Sequence, residues 1–356
     1  MSEQKKNKTK KKIFLNLLYI ALTIGIIVVI GFLDPSVTDF FSAIGSLHIG
    51  WVLAAVGACI INFLLEGTAV HCIMRFVHPN FKLRKSIKNG IIGIYYSALT
   101  PFSSGGQPVQ VVYMKKDGVP VGTSTSVFCI KFVIFESVIC LFFVFSLLFR
   151  GLDFFTSNPG VLPLTCIGFA ANALITGIVI FAMVKQGPLL SLATRLVWFL
   201  HKIHIIKHPE RAVISLSKTL EEFHQSAQVF KHSTRMFLST AFVIFIQMFA
   251  YFSITFFIYK AFGLSGYNLF EIVALQSFLY LTVSFVPLPG ASVASEGGFY
   301  LFFAQVFPAE LKFVTMILWR FFTYYVNIIF GAVFVLADSL LNVFRTGKHV
   351  PAEAKE

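Results

Sequence analysis

The sequence predicts an all-helical protein that crosses a membrane several times. Of its residues, 56% are hydrophobic and 13% are charged, whereas soluble domains carry roughly 25% charged residues. The apolar residues form runs long enough to span a bilayer, and basic residues gather between these runs. We therefore predict about six full transmembrane helices, together with two re-entrant hairpins of opposite orientation that are built from broken helices.

The first predicted span covers residues 13–33. This apolar run is long enough to cross the hydrocarbon, and it lacks the small-residue site of a cleavable signal peptide. Lysines crowd the preceding segment, residues 1–12, so the positive-inside rule assigns this tail to the cytoplasm.

Five further full spans follow from the same length criterion. We place them at residues 51–77, 122–149, 161–183, 236–258 and 313–340. Residues 185–235 are basic and have apolar positions at helical spacing, which predicts amphipathic helices on the cytoplasmic surface. The chain then reads as one transmembrane domain over residues 13–340 and a cytoplasmic tail over residues 341–356.

Two polar breaks, residues 98–108 and 286–298, interrupt the apolar pattern, one in each half. Proline and glycine leave backbone groups without helical partners, which a membrane tolerates only beside protein or a wet cavity. Paired breaks in corresponding positions are typical of transporters built from inverted repeats, which bind substrate near the bilayer midplane. Two additional full crossings would also keep both termini in the cytoplasm, and the sequence leaves that alternative open.

The first break offers an anion site. Gln107 and Pro108 resemble the start of a helix, and the four residues before them can turn the backbone. Free N–H groups at a helix start bind phosphate or carboxylate, so a lipid phosphodiester is the expected ligand. The alternative is a structural kink without a ligand. The turn residues are Ser103, Ser104, Gly105 and Gly106.

The second break contains Pro289 and Gly290, followed by a predicted half-helix. Ser292 or Ser295 is expected to cap this half-helix, whose first turn includes Glu296. The helix dipole stabilises a carboxylate at that position. A purely structural capping role is the alternative for Glu296.

Ionisable residues inside the predicted spans are candidates for substrate binding, because each costs a few kcal/mol unless it is paired or wetted. Glu66, Lys131 and Glu136 are three of them. Lys131 and Glu136 lie on different faces of one helix, so each is expected to have another partner. For Glu66 the alternative is hydrogen bonding between helices.

Arg320 is the fourth ionisable residue inside a predicted span that is a candidate for substrate binding. It is expected either to bind a phosphate with two hydrogen bonds or to neutralise Glu296. Tyr324 is expected to line the cavity, with aromatic packing as its alternative role. Glu271 is expected to be solvated.

No metal, disulfide or other cofactor is expected. All five cysteines lie inside apolar stretches without metal-ligand spacing. The net charge of +13 comes from loops and tails, so membrane topology and anionic lipid explain it and no nucleic-acid partner is expected.

The chain resembles the membrane region of bacterial lysylphosphatidylglycerol synthases. The resemblance is carried by Ser103-Ser-Gly-Gly-Gln-Pro108, Lys115-Lys-Asp-Gly118, Lys131 with Glu136, Pro287-Leu-Pro-Gly290, Glu296-Gly297, and Arg320 near Tyr324 and Tyr325. It implies a flippase-like protein of the bacterial plasma membrane that moves aminoacylated phosphatidylglycerol between leaflets and supports resistance to cationic antimicrobial peptides. The soluble aminoacyltransferase domain of full-length relatives is expected to be lacking here.

The expected partners are an anionic or aminoacylated phospholipid and the membrane, and a separately encoded aminoacyl-phospholipid synthase is a candidate. Three alternatives belong to other classes. The family label implies a phosphatidylglycerol lysyltransferase that uses lysyl-tRNA, the broken helices also suit an ion-coupled transporter of a small anion, and a scaffold would need no buried charges.

Overall fold

A computed structural model describes residues 40–202, 209–230, 233–284 and 286–346. These residues form helices joined by short turns, and no strand occurs among them. The predicted helical class is therefore confirmed. The predicted first span, the N-terminal tail and residues 347–356 lie outside the described residues.

The described helices vary widely in length. They are α1 (Phe40–Gly45), α2 (Ile49–Val77), α3 (Leu83–Ala98), α4 (Gly106–Lys116), α5 (Val121–Ser146), α6 (Leu152–Ser157), α7 (Val161–Val184), α8 (Gln186–Lys202), α9 (Pro209–Phe230), α10 (Thr234–Ala261), α11 (Leu269–Val283), α12 (Ala294–Phe302), α13 (Lys312–Arg320) and α14 (Val326–Thr346). A π-helical turn, Phe321–Tyr325, joins α13 to α14, and another, Leu147–Gly151, follows α5.

Within these residues, five helical stretches are long and apolar enough to cross a membrane. They are Ile49–Val77, Val121–Phe149, Val161–Val184, Thr234–Ala261 and Ala309–Leu340. The five full spans predicted for this part of the chain coincide with them to within a few residues. The protein is thus a multi-pass membrane protein, and many leucine, isoleucine and phenylalanine side chains of these stretches are exposed, as lipid contact requires.

Four shorter helices form two helical hairpins, α3 with α4 and α11 with α12. None is as long as the roughly 20 residues that a full crossing needs. In the first hairpin Asn89 and Gln110 each donate a side-chain hydrogen bond to the other's backbone carbonyl, at 3.0 and 3.1 Å. In the second hairpin Gly298 lies directly against the side chain of Leu279.

The two halves of the chain repeat one order of elements. A long helix is followed by a short helix, a turn, a second short helix and a further long helix, first from α2 to α5 and again from α10 to α14. The leading helices, α2 and α10, pack antiparallel. The His48 N–H donates to Ala261 O at 2.8 Å at one end, and Gln247 donates to the Asn62 side chain at 3.0 Å near the middle.

The predicted amphipathic segment forms α8 and α9. Gly122 at the start of α5 lets the backbone of α9 approach closely near Phe223. On α8, Leu196, Trp198 and Phe199 are exposed, as expected for a helix that lies on a lipid surface.

Glu271, which was expected to be solvated, is partly exposed and also caps a helix. The Asn268 side chain accepts a hydrogen bond from Glu271 N at 3.0 Å, and Glu271 Oε2 accepts one from Asn268 N at 2.8 Å. This reciprocal capping box begins α11, because it satisfies two N–H groups that have no partner within the helix.

Candidate functional site

The two breaks begin with the same backbone conformation. Thr100 and Leu288 are extended, with φ of −122° and −120°. The proline that follows each of them begins a single 3-10 turn. The next residues, Phe102 and Gly290, are left-handed, with φ of 54° and 60°.

The same serine hydrogen bond closes both turns. Ser104 Oγ donates to Pro101 O at 2.8 Å, and Ser292 Oγ donates to Pro289 O at 3.1 Å. The separation along the chain is the same for Thr100 and Leu288, for Pro101 and Pro289, and for Ser104 and Ser292. One local structure therefore occurs twice, once in each half.

The two turns pack against each other, and Tyr324 connects them. Its hydroxyl donates to Ala98 O at 3.2 Å, at the end of α3. Its ring lies against Gly290, where any side chain would collide with the ring. Glycine is required there for this close approach, and it adopts the positive φ without strain.

A cavity of about 760 Å³ lies beside the paired turns. Residues from both breaks and from all five membrane-length stretches line it. Among the lining residues that carry polar side chains are Asn62, Glu66, Ser103, Ser104, Gln107, Lys131, Glu136, Gln247, Gln276, Tyr280, Arg320, Tyr324 and Asn327. The helix breaks and the intramembrane polar groups thus share one space.

One ion pair in the cavity joins α2 to α5. Lys131 Nζ donates to Glu66 Oε1, and both side chains are nearly buried. Gln247 Nε2 on α10 donates to the other carboxylate oxygen of Glu66 at 3.1 Å. Three helices therefore meet at this carboxylate, whose negative charge is compensated by Lys131.

The second ion pair ties the second break to α13. Arg320 Nε donates to Glu296 Oε1 at 2.6 Å, and Arg320 Nη2 donates to Gly290 O at 3.0 Å. The guanidinium also lies 5.0 Å from the centroid of the Tyr324 ring, a distance that permits a cation–π interaction. The exposed fractions of the Arg320 and Glu296 side chains are 4% and 1%, so this pair is shielded from solvent.

Glu136 differs from the other two buried carboxylates. Its Oε2 accepts a hydrogen bond from Asn172 Nδ2 on α7. No lysine, arginine or histidine of the described chain forms an ion pair with it. Glu136 is buried within the protein yet lines the cavity.

Two residues that line the cavity each have a buried polar atom without a hydrogen-bond partner among the described residues. These atoms are Gln247 Oε1 and the indole Nε1 of Trp319. Their side chains are almost completely buried. Because buried polar groups in native proteins are nearly always satisfied, these atoms point to water or a ligand in the cavity.

The family model of the lysylphosphatidylglycerol synthase TM region matches residues 16–331, a range that contains both breaks and the whole cavity. The chain belongs to this family. It is also 24% identical over 291 residues to a UPF0104 membrane protein of Archaeoglobus fulgidus, and the match covers 80% of this chain and 86% of that protein. The family resemblance that the motifs predicted is confirmed.

In this member of the lysylphosphatidylglycerol synthase TM family, most of the predicted site residues line the cavity. These are Glu66, Ser103, Ser104, Gln107, Lys131, Glu136, Gly290, Arg320 and Tyr324. Lys131 and Glu136 have separate partners, as the helix geometry predicted. Arg320 pairs with Glu296, which was one of its two predicted roles.

The remaining predicted residues lie behind the cavity wall. Gly105 and Gly106 pack closely against Thr100 and Ser97, which explains their small size. Pro289 is buried in its 3-10 turn, and Glu296 contacts the site through Arg320. These four residues do not line the cavity; they support the residues that do.

The predicted cap of the second half-helix is wrong. Val293 occupies the N-cap position of α12 with a φ of 71° and no side-chain cap. The hydroxyls of Ser292 and Ser295 instead donate to carbonyls within the break, those of Pro289 and Gly290. Glu296 does lie in the first turn, as predicted.

The predicted helix start of the first break is displaced slightly. The helix begins at Gly106, so Pro108 lies inside the first turn rather than at its first position. Proline is tolerated there because N–H groups in a first turn have no helical acceptor.

The sequence analysis missed several polar residues of the site. Asn172 and Gln247 hold the carboxylates of Glu136 and Glu66. Asn62, Gln276 and Asn327 lie in the wall. Their position as amides within apolar helices was the available signal, since such groups need partners in a membrane.

Proposed function

We propose that this protein binds a phospholipid head group in the cavity between its two breaks and carries the lipid between leaflets. The observation that carries the proposal is the mixed character of one cavity. Buried charges and two helix breaks form one part of its wall, and apolar side chains form another. An amphiphile fits such a wall.

Arg320 is the proposed phosphate contact. Glu296 and Gly290 use two of its guanidinium N–H groups, and a guanidinium has five. Arg320 lines the cavity together with Gln107, which lies in the first turn of α4, so the remaining donors are available to a ligand there. Arginine held rigidly in this way suits a phosphodiester, because its planar fork matches two phosphate oxygens.

Glu136 is the proposed contact for a head-group ammonium. Glu66 and Glu296 already hold resident cations, Lys131 and Arg320. Among the described residues, Glu136 accepts a hydrogen bond from the amide of Asn172 and forms no ion pair. A cationic amino group would therefore complete the charge balance at Glu136, and an aminoacylated phosphatidylglycerol carries both groups that this site needs.

The apolar part of the wall favours a lipid over a small soluble anion. Phe132, Phe135, Ile175 and Val179 line it. A small anion needs no such surface, whereas acyl chains leaving the cavity would lie along it.

The repeated architecture supplies a way to move the lipid. We take the two hairpins as re-entrant and the two halves as inverted repeats, because their leading helices are antiparallel and their breaks meet at the cavity. Rocking one half against the other would expose the head group to each leaflet in turn. In a bacterial plasma membrane, with cytoplasmic termini, export of the aminoacylated lipid would reduce the attraction of cationic antimicrobial peptides.

A leaflet-exchange experiment with a blocked cavity tests this proposal. Cys129 lines the cavity, while Cys166 is exposed on α7. Two variants, each retaining only one of these cysteines, are reconstituted in vesicles of phosphatidylglycerol and lysyl-phosphatidylglycerol. Trinitrobenzenesulfonate, which does not cross the bilayer, then counts outer-leaflet amines before and after labelling with a bulky maleimide, and intact mass verifies the labelling.

Blocking Cys129 is expected to slow amine-lipid exchange at least about tenfold, while blocking Cys166 leaves the rate unchanged. Equal rates after both modifications would contradict the proposal. Conversion of phosphatidylglycerol on addition of lysyl-tRNA would instead favour a lysyltransferase, and accumulation of a soluble anion without lipid exchange would favour an anion transporter.

A further inference from the structure

Glu136 is a buried carboxylate whose compensation is incomplete. It lies midway along α5, on the cavity wall, and one hydrogen bond from Asn172 reaches it. In contrast, Glu66 has Lys131 and Gln247, and Glu296 has Arg320. Of the carboxylates described at this site, only Glu136 has no cation.

A carboxylate in this position needs a positive charge or a proton. Transfer of an unpaired ion from water into a low-dielectric interior is so unfavourable that the group neutralises instead. One amide hydrogen bond is weaker than a charged partner. When the cavity holds no head-group cation, a proton on Glu136 is the simplest compensation.

The groups around Glu136 do not supply that charge. Tyr280 on α11 interacts electrostatically with Glu136, and also with Tyr251 on α10 and Glu66 on α2. On α5 itself Cys140 lies one turn away. Tyrosine and cysteine are uncharged at neutral pH in this setting, and the charge of Lys131 is used by Glu66.

We propose that Glu136 is an exchange site, which a proton and the ammonium of a lipid head group occupy in alternation. The inference rests on the proposed function and adds its energy coupling. Ammonium binding releases the proton into the cavity, and departure of the ammonium in the other leaflet allows a new proton to bind. Each cycle therefore moves one cationic head group in one direction and one proton in the other, and the only covalent bond that forms and breaks is the O–H bond of the Glu136 carboxyl group.

Competition for Glu136 is measured first by binding, which does not depend on transport. A short-chain lysyl-phosphatidylglycerol is titrated into the purified full chain in detergent, with phosphatidylglycerol as the probe that lacks an amine. Lowering the pH from about 7 to about 5 is expected to weaken binding of the amine lipid by up to about tenfold per pH unit. Binding of phosphatidylglycerol should change much less.

Three variants make the binding test specific. Glu136→Gln should bind the amine lipid weakly with no dependence on pH, and Glu136→Asp should restore the dependence. Glu271→Gln, which alters a capping residue outside the cavity, should match the wild type. The same pH slope in Glu136→Gln as in the wild type would overturn the inference, and so would a wild type without a slope.

Proton movement is then measured in vesicles that contain a pH-sensitive dye. With lysyl-phosphatidylglycerol in the inner leaflet, wild-type protein should lower the lumenal pH while amines appear at the outer surface. Lipid exchange with unchanged lumenal pH would overturn proton coupling but leave the proposed function intact. Absence of lipid exchange, with the binding competition present, would refute transport and leave proton–ammonium competition at Glu136 supported.

Discussion

The two breaks share one backbone turn but have different surroundings. In the first, residues 101–104 are exposed and carry no charge. In the second, Pro289 and Ser292 are buried, and Arg320 holds Gly290 O and Glu296 together. The same turn thus interrupts both hairpins. The first break is exposed and uncharged, whereas the second is held in place by the buried ion pair of Arg320 and Glu296. We call this ion pair the anchor.

Removing the anchor should have the largest effect. Arg320→Ala leaves Glu296 buried without its cation, which typically destabilises a protein by about 3–5 kcal/mol. We expect a large loss of folded protein, measured by thermal unfolding in detergent. Lys88→Ala, which removes a partly exposed ion pair with Asp338, is the control and should cost about 1 kcal/mol or less.

A double variant separates stability from function at the same anchor. Glu296→Gln combined with Arg320→Gln removes both charges and leaves no lone ion, so most of the stability should return. Movement of amine lipid should not return, because the phosphate contact is missing. Full exchange activity in a stable double variant would show that the anchor has no role in substrate binding.

Adding a side chain in one turn and removing one at the matching position of the other turn should have opposite effects on stability. Gly290→Ala places a side chain against the Tyr324 ring at a φ of 60°, and we expect a loss of about 1–3 kcal/mol. Phe102→Gly, at the matching position of the first turn, relieves a left-handed backbone and should be neutral or slightly stabilising. Equal losses in both variants would show that the turns do not share one conformational requirement.

The link between the turns should make a smaller contribution. Tyr324→Phe removes the hydroxyl that donates to Ala98 O and should reduce stability by about 1 kcal/mol. Thermal unfolding detects this loss, and leaflet exchange should slow if the turns act together. Ser146→Ala, which removes a buried hydrogen bond to Ser277 between residues that do not line the cavity, is the matched control, since its stability loss should be similar without the same effect on exchange.

The smallest effect is expected where the two breaks diverge. Val293 is left-handed, with a φ of 71°, whereas its counterpart Gly105 has a φ of −80°. A β-branched residue is strained in this region, so Val293→Gly should stabilise the protein by up to about 1 kcal/mol. A clear loss of stability in the unfolding curve would instead indicate that the Val293 side chain makes contacts that outweigh the strain.

The sequence predicted the helical framework and the breaks well, because each depends on local chemistry. The spans follow from runs of apolar residues, and Pro101 and Pro289 mark the turns because proline cannot continue a helix. Lys131 and Glu136 could be separated by helix geometry alone. These inferences need only neighbours along the chain.

The partners of the buried charges could not be predicted in the same way. Lys131 meets Glu66, and Glu136 meets Asn172, only because distant helices pack together. The serine cap failed for a related reason. The carbonyls of Pro289 and Gly290 needed donors, so Ser292 and Ser295 bind them rather than the helix start.

The most direct test of the account is to identify the lipids that the cavity retains. Native mass spectrometry would compare the wild type with the Glu296→Gln, Arg320→Gln double variant, both purified from one bacterial host and both shown to be folded. We predict that the wild type retains a phospholipid with an amine-bearing head group well above its share of the host membrane, and that the double variant loses it. The same unselective lipid mixture on both proteins would contradict the proposal that the paired breaks enclose a head-group site.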